Sequence, residues 1–351
     1  MLGNHVKRLT YGDQPVKMAL GVSLLLAMPC VGWLLLRNPS ASVDRPIDAS
    51  EVTESEPANE PILPLPLTYH LDNRKVLLGK ELFYDPILSD GNLISCSKCH
   101  DPNTGGGDKK ALSKGLHGEL GKVNTPSVLN SGLNFVQFWD GRASTLEDQI
   151  DGPIANPKEM GSNWPTVVQK VKQVPSYSTA FSAIYPNGVT ADTIKNALAS
   201  FERSLATSTC RFDRYLRGET DAITEEEKQG YILFKTLGCT TCHQGAGVGG
   251  NMYQPFGVIG NYFANRGNIT EADFGRYNVT LQEADRYKFK VPSLRNVELT
   301  SPYFHDGSVA KLDDAVVIMA KYQLGISLSE EKSRRIAAFL KTLTGEIKEE
   351  K

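Results

Sequence analysis

The sequence predicts a mostly α-helical fold in which two domains with long loops follow a single N-terminal transmembrane helix. Apolar residues recur at helical spacing in residues 192–206, 312–324 and 330–343. No segment alternates apolar and polar residues for long enough to indicate a substantial sheet. The 351 residues exceed what one core usually organises, and the same five-residue motif begins at Cys96 and again at Cys239. We therefore expect one domain around each motif.

The N-terminal segment predicts export. Residues 18–36 carry no charge, and this length just spans a bilayer. Because Lys and Arg dominate residues 1–17, we expect that end to stay in the cytoplasm and the body to lie in the periplasm, anchored to the inner membrane. The alternative is a signal peptide that is cleaved near residues 40–42 and leaves a soluble periplasmic protein. Residues 37–66 are rich in Pro, Glu and Ser and predict a flexible linker.

The charge distribution argues against nucleic acid as a partner. The formal net charge is −2, and no stripe of clustered Lys and Arg occurs in the exported part. Nucleic-acid binding depends on such clusters to neutralise phosphates.

The repeated motif is Cys-x-x-Cys-His, which indicates covalent attachment of c-type haem. Two cysteines form thioethers with the porphyrin, and the histidine is the proximal iron ligand. The residues in question are Cys96, Cys99 and His100 in the first motif and Cys239, Cys242 and His243 in the second. A zinc site would need a second cysteine pair nearby, and a thioredoxin-like redox pair would need a βαβ context. We therefore expect two cytochrome c domains, residues 67–208 and 209–351.

The other axial ligands decide whether the haems carry electrons or bind a substrate. His117 lies in a Gly-containing loop close enough to His100 in sequence to fold back over the first haem, although a loop histidine is more often a surface residue. We expect His70 to be structural and His5 to lie on the wrong side of the membrane. His305 remains as a further candidate.

Several longer blocks resemble the bacterial dihaem cytochrome c peroxidases. The resemblance runs from about residue 78 to 345 and is carried by six blocks: Leu82-Phe83-Tyr84-Asp85, Leu88-Ser89, Asn124-Thr125-Pro126, Phe138-Trp139-Asp140-Gly141-Arg142, Val291-Pro292-Ser293-Leu294-Arg295-Asn296-Val297 and Pro302-Tyr303-Phe304-His305-Asp306-Gly307. Chance agreement over this many blocks is negligible.

The resemblance implies roles for residues that would otherwise be unremarkable. His117 becomes the displaceable distal ligand of a low-potential, peroxidatic first haem. Met319, which alone would be core, becomes the distal ligand of a high-potential second haem, since a thioether favours ferrous iron. Trp139 becomes an electron bridge between the haems, and Glu159 an acid/base over the peroxide site. The resemblance places His305 near the second haem without ligating it.

The family also binds calcium between its domains. By resemblance, Asn124 would supply its side-chain oxygen, and Thr300 and Pro302 would supply backbone carbonyls. Oxygen donors of this kind suit Ca²⁺.

Three functions from different classes follow. The leading one is reduction of hydrogen peroxide with electrons from a small soluble cytochrome c or a cupredoxin. The second is oxidation of a protein substrate, as in a related branch that matures a quinone cofactor and carries Tyr at the position of Met319. The third is a non-catalytic, membrane-anchored electron carrier. A second copy of the chain, forming a homodimer, remains open as a partner.

Overall fold

The computed structural model describes residues 60–347, and this part of the chain is mostly helical, as predicted. The α-helices are α1 (Asn73–Tyr84), α2 (Leu146–Ala155), α3 (Trp164–Gln173), α4 (Pro175–Ile184), α5 (Ala191–Ser204), α6 (Arg211–Leu216), α7 (Glu225–Thr236), α8 (Tyr262–Arg266), α9 (Tyr277–Thr280), α10 (Leu312–Leu324) and α11 (Glu330–Lys341). Within the described residues, the only sheet pairs β1 (Tyr253–Pro255) with β2 (Lys288–Lys290), antiparallel.

Each Cys-x-x-Cys-His motif follows a helix that crosses a partner helix at a glycine. Helix α1 packs on α5, and a Cβ on Gly79 would lie 1.9 Å from the carbonyl oxygen of Ala197. Helix α7 packs on α11, and a Cβ on Gly230 would lie 2.0 Å from the carbonyl oxygen of Arg335. Only glycine allows backbones to approach this closely. The two halves therefore repeat one helix-crossing arrangement ahead of each haem motif.

Residue type predicts two helix N-caps, of which the structure confirms one and not the other. Asp192 and Ser329 are the N-caps expected from residue type. Ser329 is confirmed, since its side chain accepts a hydrogen bond from the backbone of Lys332. Asp192 lies instead in the first turn of α5, and Thr190 is the cap, with a reciprocal capping box to Thr193. The box satisfies two backbone N–H groups, which a single Asp cap would not do.

Two apolar cores divide the described residues. The first draws on residues between 78 and 205, and the second on residue 62 and on residues between 210 and 343. The predicted linker is wrong at its end, because residues 60–66 pack on the second core. Ile62 is buried in that core, Leu65 is also buried, and Glu60 pairs with Lys235. Burial of two large apolar side chains outweighs the local Pro-rich composition.

A third, smaller cluster brings distant segments together. Phe256, Tyr262, Phe263 and Phe289 form it, and both Trp139 and Met319 pack against it. The strand pair β1 and β2 holds Phe289 in this cluster, which places the short sheet beside the site described below.

No helix within residues 60–347 is long and apolar enough to cross a membrane. The predicted transmembrane segment, residues 18–36, lies outside the described residues.

The second core contains a fully buried ion pair between Arg295 and Asp213, 3.0 Å apart. We expect Asp213→Asn to lower the free energy of unfolding by roughly 3–5 kcal/mol, because it leaves the Arg295 charge buried without a counter-charge. Denaturant titration checks this. The exposed pair of Glu331 with Arg335 provides the control, and Glu331→Gln should cost less than about 1 kcal/mol. Equal losses in the two variants would contradict the argument.

Candidate functional site

A large cavity in the C-terminal half brings together the predicted residues of the second haem site. Cys239 and Cys242 line it from the turn that follows α7, together with His243. Met319 lines the same cavity from α10. The structure thus places the predicted proximal and distal ligands around one apolar space, although 76 positions separate them in the sequence.

Both predicted proximal histidines have one ring nitrogen held by a backbone carbonyl. His243 Nδ1 lies 3.3 Å from the carbonyl oxygen of Val248, and His100 Nδ1 lies 3.1 Å from that of Pro126. Because a carbonyl oxygen only accepts, each Nδ1 carries the proton and each Nε2 keeps its lone pair. Burial lowers the pKa of His100, and that of His243 to about 4, so both rings are neutral at physiological pH. This donor set fits covalently bound haem at each motif.

The predicted distal ligand of the first haem lies at the tip of a hairpin, residues 113–121. Lys114 and Leu120 pair across it, and His117 is exposed with a positive φ of 55°. Leu116 is buried, and its N–H donates to the carbonyl oxygens of Lys158 and Glu159 at 3.1 and 3.0 Å. The residue that precedes the tip is therefore held by the segment that carries the predicted acid/base, while His117 itself is exposed.

Glu159 is half-buried and lies near the first motif. Asn156 Nδ2 donates to Glu159 Oε1 at 2.7 Å. Burial raises the pKa of Glu159, an effect that the Asn156 hydrogen bond and the charge of Arg142 oppose. The negative charge of Glu159 also helps to raise the pKa of the Cys99 thiol, after burial and Asp108. The structure therefore places Glu159 beside the hairpin that carries His117.

Trp139 lies between the two halves. Its indole Nε1 donates to the carbonyl oxygen of Asn124 at 2.9 Å, and its ring lies edge-on to His305 with the centroids 6.3 Å apart. The next residues, 125 and 126, reach the first site, since Pro126 accepts from His100 and Thr125 hydrogen-bonds to Ser113 at the base of the hairpin. One short segment, 124–126, thus connects both sites.

The three predicted calcium ligands all line the large cavity. Asn124, Thr300 and Pro302 all contribute to its wall. The Asn124 amide nitrogen donates to the carbonyl oxygen of Lys110 at 2.8 Å, which leaves its side-chain oxygen as the free donor atom. The structure places these three residues on the wall of one cavity, and calcium binding itself stays a prediction.

The structure adds a buried group that the sequence reasoning missed. His305 Nε2 lies 2.7 Å from Asp273 Oδ1, and Arg266 pairs with Asp273 and with Asp306. Since its Nε2 contacts Asp273, His305 is better suited to a supporting role than to iron ligation. Sequence spacing does not indicate this contact, because His305 and Asp273 are 32 positions apart in the chain. His70 is exposed and does not line the second cavity.

The hairpin contact gives a testable consequence. A Cβ on Gly115 would lie 2.1 Å from the carbonyl oxygen of Lys158. We expect Gly115→Ala to push the hairpin off residues 158–159 and to weaken His117 ligation, seen as loss of the low-spin ferric signal of the first haem in electron paramagnetic resonance. Gly121→Ala is the control, because its Cβ would make only ordinary contacts at 3.7 Å or more. An unchanged spectrum in the Gly115 variant would show that the contact does not position the ligand.

Comparison with known proteins agrees with this geometry. The sequence profile of the family described as di-haem cytochrome c peroxidase matches residues 73–221. The chain is 45% identical over 290 residues to the cytochrome c551 peroxidase of Nitrosomonas europaea, covering 82% of this chain and 85% of that protein.

Two further proteins are similar. The chain is 46% identical over 298 residues to the cytochrome c peroxidase Ccp of Escherichia coli strain K12; the match covers 85% of this chain but only 64% of that protein. Among solved structures, a MauG-like protein associated with microbial copper homeostasis matches with a TM-score of 0.70 and 28% identity, covering 82% of this chain and 94% of that one.

Proposed function

The chain belongs to the di-haem cytochrome c peroxidase family, and from this premise we propose that it reduces hydrogen peroxide to water with electrons from a small redox protein. The reaction is H₂O₂ + 2e⁻ + 2H⁺ → 2H₂O. When bound, the haems supply one-electron redox chemistry and a coordination position for the peroxide. The residues of the chain supply ligands, protons and the connection between the two sites.

The contact between the hairpin of His117 and the segment of Glu159 carries the proposal. Leu116 donates to the carbonyl oxygens of Lys158 and Glu159, so the displaceable ligand and the acid/base lie in one structural unit. Glu159 is partly buried, and burial raises its pKa above the ordinary range of a Glu, which suits a group that takes up and delivers a proton. In this role Glu159 takes a proton from one peroxide oxygen and delivers it to the oxygen that leaves as water.

The two haems would have different axial ligands, and this difference predicts the order in which they are reduced. With His243 and Met319 at one haem and His100 and His117 at the other, we propose that the donor reduces the second haem first, since a thioether stabilises ferrous iron. Trp139, which packs with Met319 in one aromatic cluster, then connects the sites.

We also propose that this first reduction releases His117. The segment 124–126 supports the idea, since it contacts Trp139 at one end and Ser113, at the base of the hairpin, at the other. Release requires that the hairpin be bound less tightly in one redox state than in the other, because an electron that stabilises both arrangements equally shifts nothing.

Two alternatives remain. Oxidation of a protein substrate is less favoured, because Met319 lines the second cavity where that branch carries Tyr. A non-catalytic carrier would keep both irons permanently six-coordinate, which the exposed position of His117 on a narrow hairpin tip does not favour.

The remaining assignments extend the proposal. We propose that a calcium ion bridges Asn124, Thr300 and Pro302, that the electron donor is a small soluble cytochrome c or a cupredoxin, and that the enzyme acts in the periplasm. The uncharged residues 18–36 support an anchor in the inner membrane, with cleavage as the alternative. We propose a homodimer as the assembly.

Anaerobic reductive titration of the full-length holoprotein, followed by peroxide addition, tests the proposed function. We expect one haem to be reduced well before the other, and this half-reduced form to consume peroxide. Simultaneous reduction of both haems, or a half-reduced form inert to peroxide, would contradict it.

A further inference from the structure

Lys290 is a buried lysine in the wall of the second cavity. It is the last residue of β2, only 7% of it is exposed, and it lines the same space as His243 and Met319. Its backbone N–H donates to the carbonyl oxygen of Trp139 at 2.8 Å. The residue is therefore fixed at the boundary between the second cavity and the tryptophan that separates the two sites.

Among the charged residues that line this cavity, Lys290 stands apart. The guanidinium of Arg295 is paired with Asp213, and the ring of His305 contacts Asp273. No hydrogen bond or ion pair within residues 60–347 involves the ammonium group of Lys290. Burial alone lowers its pKa to about 8.

A buried ammonium without a counter-charge is unfavourable, because the charge loses its hydration and gains no partner. A c-type haem carries two propionate carboxylates on the porphyrin edge. The cysteines and the histidine that would hold such a haem, Cys239, Cys242 and His243, line this cavity. A propionate would supply the missing negative charge and hydrogen-bond acceptor at once.

We propose that the Lys290 ammonium binds a propionate of the haem held at Cys239 and Cys242 and thereby favours its reduction. This inference rests on the proposed function, because it requires haem in this cavity. Lys290 is a positioning residue here: it does not touch the iron or the peroxide. Its positive charge stabilises the extra electron of the ferrous haem and partly cancels the propionate charge.

Spectroelectrochemical titration of the full-length holoprotein tests the role of Lys290, with haem content measured in every variant. Lys290→Met keeps the length and apolar stem of the side chain but removes the charge. We expect its second haem to be roughly tenfold harder to reduce, measured as the shift in the equilibrium with a mediator dye, which equals about 59 mV for one electron. Lys290→Arg keeps the charge and should stay within about twofold of the wild type.

Lys288→Met is the matched control, because Lys288 lies on the same strand but pairs with Asp285. Its second haem should behave as in the wild type. An unchanged reduction equilibrium in a fully haem-loaded Lys290→Met protein overturns the proposal. If that variant does not assemble, the propionate bending mode in the resonance Raman spectrum of Lys290→Arg decides: a shift supports the contact, and an unshifted mode overturns it. A wild-type protein without haem at Cys239 would instead refute the proposed function.

Discussion

Replacing Glu159 by glutamine should lower peroxide turnover by about 10²–10⁴-fold, the usual worth of a positioned acid/base. The amide keeps the size of the side chain and can still contact Asn156, which now donates to the carboxylate at 2.7 Å. It cannot take up and deliver a proton. Steady-state peroxide consumption with a reduced cytochrome c as donor measures the loss, while absorption spectra verify that both haems are bound.

The pH dependence separates a chemical role of Glu159 from a structural one. Burial raises the pKa of this carboxyl group, so a limb of the rate profile should lie above the ordinary range for Glu and vanish in Glu159→Gln. Glu119→Gln is the control, because Glu119 lies on the adjacent hairpin, is exposed and pairs with Lys158. Turnover near the wild-type value in Glu159→Gln would remove the residue from the mechanism.

Replacing His117 by glycine should let the fully oxidised protein react with peroxide without prior reduction. The substitution removes the side chain that we propose as the distal ligand of the first haem. It should leave the backbone undisturbed, because His117 already has a positive φ of 55°, a conformation that glycine adopts freely. If the ligand is bound in about 99% of oxidised molecules, its removal raises the apparent rate about 100-fold. Stopped-flow mixing of the oxidised variant with peroxide measures this rate.

His70→Ala serves as the control for a histidine outside the site. His70 is exposed, so this variant should retain two normal haem spectra and the wild-type requirement for reduction. If the oxidised His117→Gly protein stays inert while its first haem is shown to be five-coordinate or water-ligated, release of the ligand is not the gate.

Local patterns predicted the parts of the fold that local chemistry determines. Helix α10 has the predicted bounds, and Ser329 caps α11, because apolar spacing and capping act over a few residues. The two haem motifs could also be identified from the sequence, because haem attachment needs two cysteines and a histidine within one turn.

The long-range contacts could not be predicted from the sequence. The pairing of His305 with Asp273 depends on two loops that the aromatic cluster brings together, and neither residue has a spacing signal. The burial of Ile62 against the second core could not be inferred from a Pro-rich segment, because composition reports flexibility and not what a segment packs against. Lys290 resembles a surface lysine until the cavity around it is known.

The number of electrons used per peroxide distinguishes a peroxidase from an electron carrier. The full-length holoprotein, mixed anaerobically with an excess of reduced small cytochrome c, should oxidise two donor molecules for each hydrogen peroxide added, and no donor oxidation should occur without peroxide. A protein that carries both haems and accepts electrons from the donor, yet consumes no peroxide, would be an electron carrier and would contradict this account.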